Sequence, residues 1–470
     1  MIRRLKKKFD KKLKDKDFSE IFKKGATGFF ISLIGRPLGL IQVAIITNFF
    51  GADANGVFRV CFSIFSLVVI FGRFGVDMAM SRFVAQYRKQ GRYDLVNEVF
   101  QKSMRIVVPL AAFLSVAVYF LAPVIAHYIY HDKPYTVPIR IFSIGIFFST
   151  ISGVLEEGLR GLKKIKEYSW INNVSTQGIV SVLLLVCLLF TRDPMWVSIL
   201  YVIALFITWI FGVYYWFKFV PYQRITTQQI ETKEILHVSL PMLSAKYLTT
   251  LYTWVDTLIL AAFVIDTDVS TYNVASRVTA FATLPLIAIN NISSSKFAEA
   301  YGEGDTKYLK KTVRISSRLI FWTCMPIMLA FLLVPKLFLF IFGQEVLTER
   351  AILAFHIINI GQIVNFMTGP VTVFLNMTGR QKVSQLYSAI TMVVSIALCF
   401  LLIPEFGLLG AAIATAASRT VLNLGCALHV YFTTGISTFY NPVEDFKNFR
   451  ERRRKRSARK DQLQEGGENA

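Results

Sequence analysis

Long apolar stretches without any charged side chain alternate along the chain with shorter polar connectors. Five stretches contain no Lys, Arg, Asp or Glu, namely residues 106–130, 168–191, 195–217, 357–379 and 383–404. Runs of roughly 18 or more such residues are long enough to cross the hydrocarbon core of a bilayer as helices. The whole pattern predicts an all-α membrane protein with about twelve spans: 26–50, 57–76, 106–130, 138–158, 168–190, 195–217, 236–262, 272–293, 319–342, 352–377, 383–403 and 406–433.

The connectors between these predicted spans alternate between basic and nearly cation-free. The basic set comprises both chain ends and residues 77–105, 159–167, 218–235, 294–318 and 378–382. The opposite set carries only Lys133, Arg192 and Arg350. Because cytoplasmic loops carry the excess of Lys and Arg, we predict that both termini are cytoplasmic, as an even number of spans requires, and that the protein lies in the cell (inner or cytoplasmic) membrane.

One polar connector occurs twice along the chain with a similar sequence. Residues 81–91 read SRFVAQYRKQG and residues 295–305 read SKFAEAYGEGD, so that Ser, a cation, Phe and Tyr recur in the same order. Further matches downstream keep an offset between 212 and 218 residues. We therefore predict two pseudo-symmetric six-helix lobes, and parallel repeats of this kind place a substrate site between the halves, in a central cavity near mid-bilayer. The predicted parts are a basic cytoplasmic amphipathic segment 1–24, lobes 25–218 and 236–435, a cytoplasmic linker 219–235 and a basic cytoplasmic tail 436–470.

Composition and charge agree with a membrane protein and exclude several classes of function. Hydrophobic residues make up 54% of the chain and charged residues only 17%. The net charge of +22 lies mostly in the predicted cytoplasmic connectors, which favours anionic membrane lipid over nucleic acid as its partner. The chain has no GxxxxGK[ST] phosphate loop, no HExxH and no Cys/His metal spacing, so we predict no catalytic residues, metal or cofactor.

Polar side chains inside the predicted spans are the candidate functional residues, because charges in hydrocarbon are costly and face cavities or partners. Lys246 and Asp256 belong to a polar stripe with helical spacing on the seventh span, and Arg36 and Gln42 share a face of the first. The eighth span adds Arg277 and Asn291.

Arg36, Lys246 and Arg277 make the predicted cavity cationic, which suits phosphate oxygens. Gln42 and Asn291 complete the predicted substrate-binding set. Asp256 and Asp77 are candidates to carry a coupling proton or Na⁺, and Asp256 could equally form a structural pair with Lys246.

Other charges are predicted to be structural. Arg73 with Asp77, and Glu156 with Arg160, are spaced four apart and predict ion pairs within a helix. Arg59 lies near the outer end of its predicted span and is expected to extend toward the membrane surface. Arg419 is equally suited to the cavity and to a helix interface.

Several segments resemble the oligosaccharide-lipid (O-antigen type) flippase family, which shares a superfamily with multidrug-and-toxin exporters and the lipid II flippase. They include ATGFFISLIGRPLGLIQVAIITNFFGADANGVFRV, FGVDMAMSRFVAQYRKQG, SLPMLSAKYLTTLYTWVDTLIL and TGPVTVFLNMTGRQK, within residues 20–435. The resemblance implies two six-helix lobes around a central cavity and outward transport of a polyprenyl-pyrophosphate-linked glycan by alternating access. It also implies that Arg36 and Arg277 line that cavity, since the related lipid II flippase carries cations at broadly matching places.

The sequence therefore predicts a flippase for a lipid-linked oligosaccharide that serves cell-surface polysaccharide biosynthesis. Further candidate partners are anionic membrane lipid and other membrane proteins of polysaccharide assembly. One alternative is a drug/cation antiporter of the same fold, which would need a net-negative cavity. Another is an integral-membrane glycan polymerase or ligase, which would usually need a large outer loop that this sequence does not contain.

Overall fold

Every regular element that the structure describes is a helix. The computed structural model describes residues 16–131, 134–221, 223 and 230–440. Residues 1–15 of the predicted basic segment, residues 132–133, residues 222 and 224–229 of the predicted linker, and the tail beyond residue 440 lie outside the described residues. The predicted all-α class is confirmed for the described part of the chain.

The described residues of the first half of the chain form eight helices, of which α4 and α6 each continue into a five-residue π-helical turn. They are α1 (Lys16–Phe49), α2 (Ala52–Arg73), α3 (Val76–Lys89), α4 (Tyr93–Val124), α5 (Thr136–Gly161), α6 (Ile165–Trp170), α7 (Thr176–Cys187) and α8 (Met195–Phe219).

The first helix of the second half begins at Thr232, within the predicted linker 219–235, and the described residues of this half form nine helices together with a short 3₁₀ turn at Gln344–Val346. They are α9 (Thr232–Phe263), α10 (Asp266–Phe281), α11 (Leu284–Gly302), α12 (Thr306–Leu333), α13 (Pro335–Phe340), α14 (Glu349–Thr368), α15 (Val371–Met377), α16 (Gln381–Phe406) and α17 (Leu408–Thr434). The break between α14 and α15 falls at Gly369, whose φ of 69° ends the helix before Pro370.

Nine helical segments among the described residues are long and apolar enough to cross a membrane. A tenth is obtained if α10 and α11, which are bent by 47° at their junction, form one span. Large apolar side chains are exposed on these helices, such as Phe432 (79%), Leu333 (71%) and Phe120 (70%). Such exposure suits contact with lipid chains. The count of twelve spans stays a prediction.

The described residues group into two compact units. The first unit contains the described residues within Met1–Phe281, Ala330–Asn359 and Met392–Ser418. The second unit contains the described residues within Ala282–Leu329, Ile360–Thr391 and Arg419–Ala470. This grouping does not test the internal repeat, so the two six-helix lobes and their boundaries remain a prediction.

Helix α5 is the centre of the first unit and packs against α2, α3, α4 and α8. Small residues allow these close approaches: a Cβ added to Gly158 would lie 2.6 Å from the Trp216 ring. Trp216 is itself buried and stacks on Phe100 with ring centroids 4.8 Å apart. The second unit has its own core, in which Phe297 of α11 meets Phe374 of α15.

One end of the first unit, which the Lys/Arg pattern predicts to face outside, is closed by contacts between α2 and α10. Asn55 Nδ2 donates to Ser270 Oγ at 2.8 Å, and Thr267 donates to the carboxylate of Asp53. The backbone N–H of Ala52 donates to Glu345 Oε2 at 2.8 Å, which adds the 3₁₀ turn to the same end. These bonds connect segments more than 200 residues apart in sequence.

Candidate functional site

The structure brings Arg277 against the polar face of α1. Arg277 lies on α10, and its Nη1 donates to the carbonyl oxygen of Gly39 at 3.3 Å. Arg36 lies about one turn before Gly39 on α1 and is exposed, while Gln42 lies about one turn after it and is 1% exposed. The Nε2 of Gln42 is buried and has no hydrogen-bond partner among the described residues. Arg277 and Gln42 are therefore neighbours at a buried polar position between two helices.

Arg59 of α2 is a second cation at this position. The sequence did not predict it as a substrate-binding residue. Its side chain is 1% exposed, so the expectation that it extends toward the membrane surface was wrong. The guanidinium lies 5.1 Å from the centre of the Phe58 ring. Its Nε and Nη2 are buried without a hydrogen-bond partner among the described residues. Helix α2 begins at Ala52, five residues before the predicted span, which places Arg59 two turns inside the helix.

Arg59, Arg277, Tyr201 and Gln42 are named here the cationic cluster. The charges of Arg59 and Arg277 disfavour each other, and Tyr201 lies within electrostatic range of both. Burying a charged or polar group without a partner is costly, since it loses the hydrogen bonds that water supplied. The cluster therefore holds several N–H donors for which the described protein provides few acceptors. An anion with several oxygen atoms is the chemical group that would satisfy them.

Lys246 lines a crevice of about 300 Å³ in the first unit. Arg73 and Glu156 line the same crevice, and Tyr201 connects it to the cationic cluster. The remaining polar lining consists of hydroxyl and amide side chains: Ser66, Ser149, Ser152, Asn172, Asn173, Thr176, Gln177, Thr208 and Thr250. Such groups donate and accept hydrogen bonds in many directions, which suits sugar hydroxyls.

The predicted ion pair between Glu156 and Arg160 was wrong. Arg160 Nη1 instead contacts Glu157 Oε1 at 3.2 Å, three positions away on the same helix. Glu156 is buried and accepts a hydrogen bond of 3.0 Å from Asn172 Nδ2. Spacings of three and four both bring helical side chains together, so the sequence could not decide between the two glutamates.

Asp77 has local partners that explain its burial. It lies 4.0 Å from Arg73, and its Oδ1 accepts a hydrogen bond of 2.9 Å from the backbone N–H of Met78 at the start of α3. Arg73 also donates to the carbonyl oxygen of Ser149 at 3.1 Å. The predicted pair of Arg73 and Asp77 is thereby confirmed. A role for Asp77 in ion coupling stays a prediction.

Asp256 lies in a cage of hydroxyl groups within the first unit. Thr415 and Tyr272 donate to its Oδ2 at 2.8 and 3.0 Å, and Ser395 donates to its Oδ1 at 3.0 Å. The Sγ of Cys399 is a further donor at 3.4 Å from Oδ1. The donors come from α10, α16 and α17, so this single carboxylate connects three helices to α9.

Two further polar residues belong to the second unit. Asn291 lies on α11 and is exposed. Arg419 of α17 donates to Gln362 Oε1 of α14 at 3.2 Å, so it contributes to a helix interface. No group of three or more His, Cys, Asp or Glu residues in the described part of the chain is arranged to hold a metal ion. The five cysteines are buried and free.

Comparison with known proteins assigns the chain to a family. The family model described as polysaccharide biosynthesis protein matches residues 21–295. The chain belongs to this family. A second model, MatE, matches residues 241–401. Stage V sporulation protein B of Bacillus subtilis (strain 168) is 25% identical over 129 residues, which cover 27% of this chain and 25% of that protein. The match therefore spans only a quarter of the length of this relative.

Solved structures of membrane transporters share the fold of this family member. An inward-facing multidrug resistance MATE family transporter of the MOP superfamily aligns with a TM-score of 0.71 at 15% identity, over 86% of this chain and 97% of the other. The lipid II flippase MurJ in an inward closed conformation aligns with a TM-score of 0.69 at 14% identity, over 89% of this chain and 88% of the other. A MOP superfamily transporter from Pyrococcus furiosus aligns with a TM-score of 0.61 at 16% identity, over 88% of this chain and 95% of the other. Family, fold and apolar helices together make this protein a multi-pass membrane protein of the polysaccharide biosynthesis family that shares the fold of these transporters.

Proposed function

We propose that the protein is a flippase that moves a polyprenyl-pyrophosphate-linked oligosaccharide from the cytoplasmic to the outer leaflet by alternating access. The observation that carries the proposal is the cationic cluster, where the buried donors of Arg59 and Gln42 lie beside Arg277. A pyrophosphate offers several charged oxygens to two guanidinium groups at once. The hydroxyl and amide side chains of the neighbouring crevice are suited to the first sugars.

The family match supports the glycan part of this proposal, and the MurJ neighbour supports transport of a lipid-linked load. In this scheme both termini are cytoplasmic, the protein lies in the cell membrane, and it acts as a transporter and not as an enzyme. Arg36, exposed on the same helix as Gln42, would meet the anion as it approaches, and Lys246 would contact it in the crevice. Asn291, an exposed amide on α11, is also proposed to bind the load.

Asp256 is the proposed coupling group. A carboxylate that accepts hydrogen bonds from three hydroxyls is arranged to change its bonding when it gains a proton. Carboxylate and hydroxyl oxygens are also the ligand types that hard cations such as Na⁺ prefer. Uptake of either ion at Asp256 would alter the contacts among α9, α10, α16 and α17, which is how a gradient could bias the conformation of the transporter.

A drug/cation antiporter is the second candidate, because the MatE model matches residues 241–401 and MATE transporters share the fold. The cationic cluster argues against it, since two unneutralised guanidinium groups repel a cationic drug. Drug efflux from cells that express the protein, with a dependence on Asp256 but none on Arg59 or Arg277, would support this second function over the first.

The first test is export of surface glycan in a strain that depends on this protein. Replacing Arg277 and Arg36 with Gln should abolish export while membrane insertion is retained. The matched control is Arg192→Gln, which removes an exposed cation from a connector between spans. Unchanged export by the Arg277 and Arg36 variants would contradict the proposal.

A second test uses stability to separate function from folding. Arg59→Met removes a buried charge that lacks partners, and such a change leaves the free protein as stable or more stable. We expect the melting temperature of Arg59→Met to equal or exceed that of the wild type, while affinity for a polyprenyl pyrophosphate falls about 10- to 100-fold, the effect of losing a charged hydrogen bond. A large loss of stability would show that Arg59 is structural.

A further inference from the structure

A second cationic pocket lies in the first unit, away from the crevice that Lys246 lines. Its volume is about 440 Å³. It is formed where the end of α3, the start of α4, the turn between α5 and α6 and the last residue of α8 meet. Four cations and one carboxylate line it: Arg88, Lys163, Lys164, Lys166 and Glu167. None of these residues lines the crevice, and we name this site the α5–α6 pocket.

The backbone and the rings around the α5–α6 pocket fix its cations in place. Lys163 has a φ of 59°, a left-handed conformation that bulky residues seldom adopt, and it holds a tight turn in which Lys164 N–H donates to Leu159 O at 3.0 Å. Lys164 Nζ lies 4.0 Å from the centre of the Phe219 ring. The Nε of Arg88 is buried and has no hydrogen-bond partner among the described residues. The pocket thus presents both a guanidinium donor and ammonium groups on a constrained turn.

The surroundings of the α5–α6 pocket place it at the depth of lipid headgroups. Tyr214 and Phe217, on the last turns of α8 beside Phe219, are 56% and 65% exposed. Lys218 lies 5.4 Å from the Tyr214 ring. Exposed aromatic rings with adjacent cations are typical of the boundary between the hydrocarbon core and the headgroups. The connector that contains Lys163 is also one of the basic connectors that the sequence predicts to be cytoplasmic.

We propose that the α5–α6 pocket binds the phosphate group of an anionic lipid from the adjacent leaflet. Phosphate oxygens match the guanidinium of Arg88 and the ammonium groups of the turn. The single carboxylate of Glu167 leaves the lining with an excess of three positive charges. A lipid source is favoured over free phosphate because Phe219 and the exposed rings of α8 continue the site toward the acyl chains. The bound lipid would join α3, α4, α6 and α8 at this end of the unit.

The experiment measures lipid binding to the full-length protein by native mass spectrometry, with phosphatidylglycerol and phosphatidylcholine as the two probes. We expect one phosphatidylglycerol to bind more tightly than phosphatidylcholine. Arg88→Gln combined with Lys164→Gln should weaken that binding about 25-fold, or about five-fold for each cation, the factor that corresponds to ~1 kcal/mol per juxtamembrane Lys or Arg. The matched control, Lys89→Gln, removes an exposed neighbouring cation outside the lining and should change affinity less than two-fold.

A second arm adds inorganic phosphate at millimolar concentration in detergent. If phosphate binds and the double variant loses that binding while phosphatidylglycerol shows no preference, the pocket is a phosphate site whose source is the free ion. If the double variant does not fold, Lys166→Gln replaces it, since this side chain is exposed and should cost about five-fold. The proposal is overturned if neither probe binds preferentially, or if the pocket variants bind as tightly as Lys89→Gln.

Discussion

Gly56 of α2 provides a sharp test of the closed end of the first unit. A Cβ added at Gly56 would lie 2.0 Å from the carbonyl oxygen of Asp266 and 2.6 Å from its carbonyl carbon. Non-bonded heavy atoms sit at about 3.5–4.0 Å, so the two helices would have to separate by about 1.5 Å in Gly56→Ala. That displacement is large enough to break the nearby bond between Asn55 and Ser270.

The expected loss of stability of the closed arrangement in Gly56→Ala is the sum of three contributions. Overpacking a close helix contact costs about 1–3 kcal/mol. Loss of the Asn55–Ser270 and Asp53–Thr267 bonds adds about 0.6 kcal/mol each, the average for hydrogen bonds between membrane helices. The higher helix propensity of Ala returns about 1 kcal/mol. The net loss of about 1–3 kcal/mol corresponds to a shift of roughly 10- to 100-fold from the closed toward the open arrangement of this end.

The assay is hydrogen–deuterium exchange of the protein in lipid nanodiscs. We expect the backbone amides in the first turns of α2 and α10 to exchange roughly 10- to 100-fold faster in Gly56→Ala. Gly178→Ala is the matched control, because a Cβ there would meet only Leu38 Cδ1 at an ordinary 3.8 Å. Exchange in Gly56→Ala within two-fold of the control would refute the reasoning.

Three further outcomes follow from single contacts. Asp256→Asn should abolish the dependence of transport on an ion gradient while the protein still folds. The measurement compares transport into vesicles with and without an H⁺ or Na⁺ gradient. A variant that still depends on the gradient would exclude Asp256 as the coupling group. Lys102→Met should cost about 3–5 kcal/mol in unfolding assays, because it removes the cation that lies 2.9 Å from the buried carboxylate of Glu98, and adding Glu98→Gln should restore part of that loss. Trp322→Phe removes the 2.9 Å bond to Tyr440 and should make the last described segment more sensitive to proteolysis, whereas unchanged cleavage would show that packing alone holds it.

The all-helical membrane class could be read from the sequence because it depends on local composition. Charge-free stretches of sufficient length leave few alternatives to helices in a bilayer. The helix break at Gly369 could be read for a similar reason, since Gly followed by Pro ends a helix through its own backbone geometry. The polar face of α1 and the assignment of Arg277 to a substrate cavity also came from local spacing and from the resemblance to a family, and the assignment of Arg277 stays a prediction.

The contacts within the candidate site could not be predicted from the sequence, because they join residues that are far apart along the chain. Ser395 and Thr415 are 139 and 159 residues from the carboxylate they contact, and a single sequence carries no record of such a pair. Arg59 was misplaced because the start of α2 was set five residues late, which turned a buried position into a terminal one. An Arg with apolar neighbours on both sides was the available signal, and the helix boundary was the least certain part of the prediction.

Recognition of the pyrophosphate of a lipid-linked glycan by the cationic cluster is the step on which the proposed transport depends. The most direct measurement reconstitutes the protein in liposomes with a fluorescent polyprenyl-pyrophosphate oligosaccharide and follows the fraction that crosses to the opposite leaflet. We predict that the wild type moves this lipid, and that Arg59→Met combined with Arg277→Met slows it at least about ten-fold, as the loss of charged hydrogen bonds requires. An uncharged analogue without the pyrophosphate should not be moved. Equal rates for the double variant and the wild type, or for the charged and uncharged lipids, would contradict the claim.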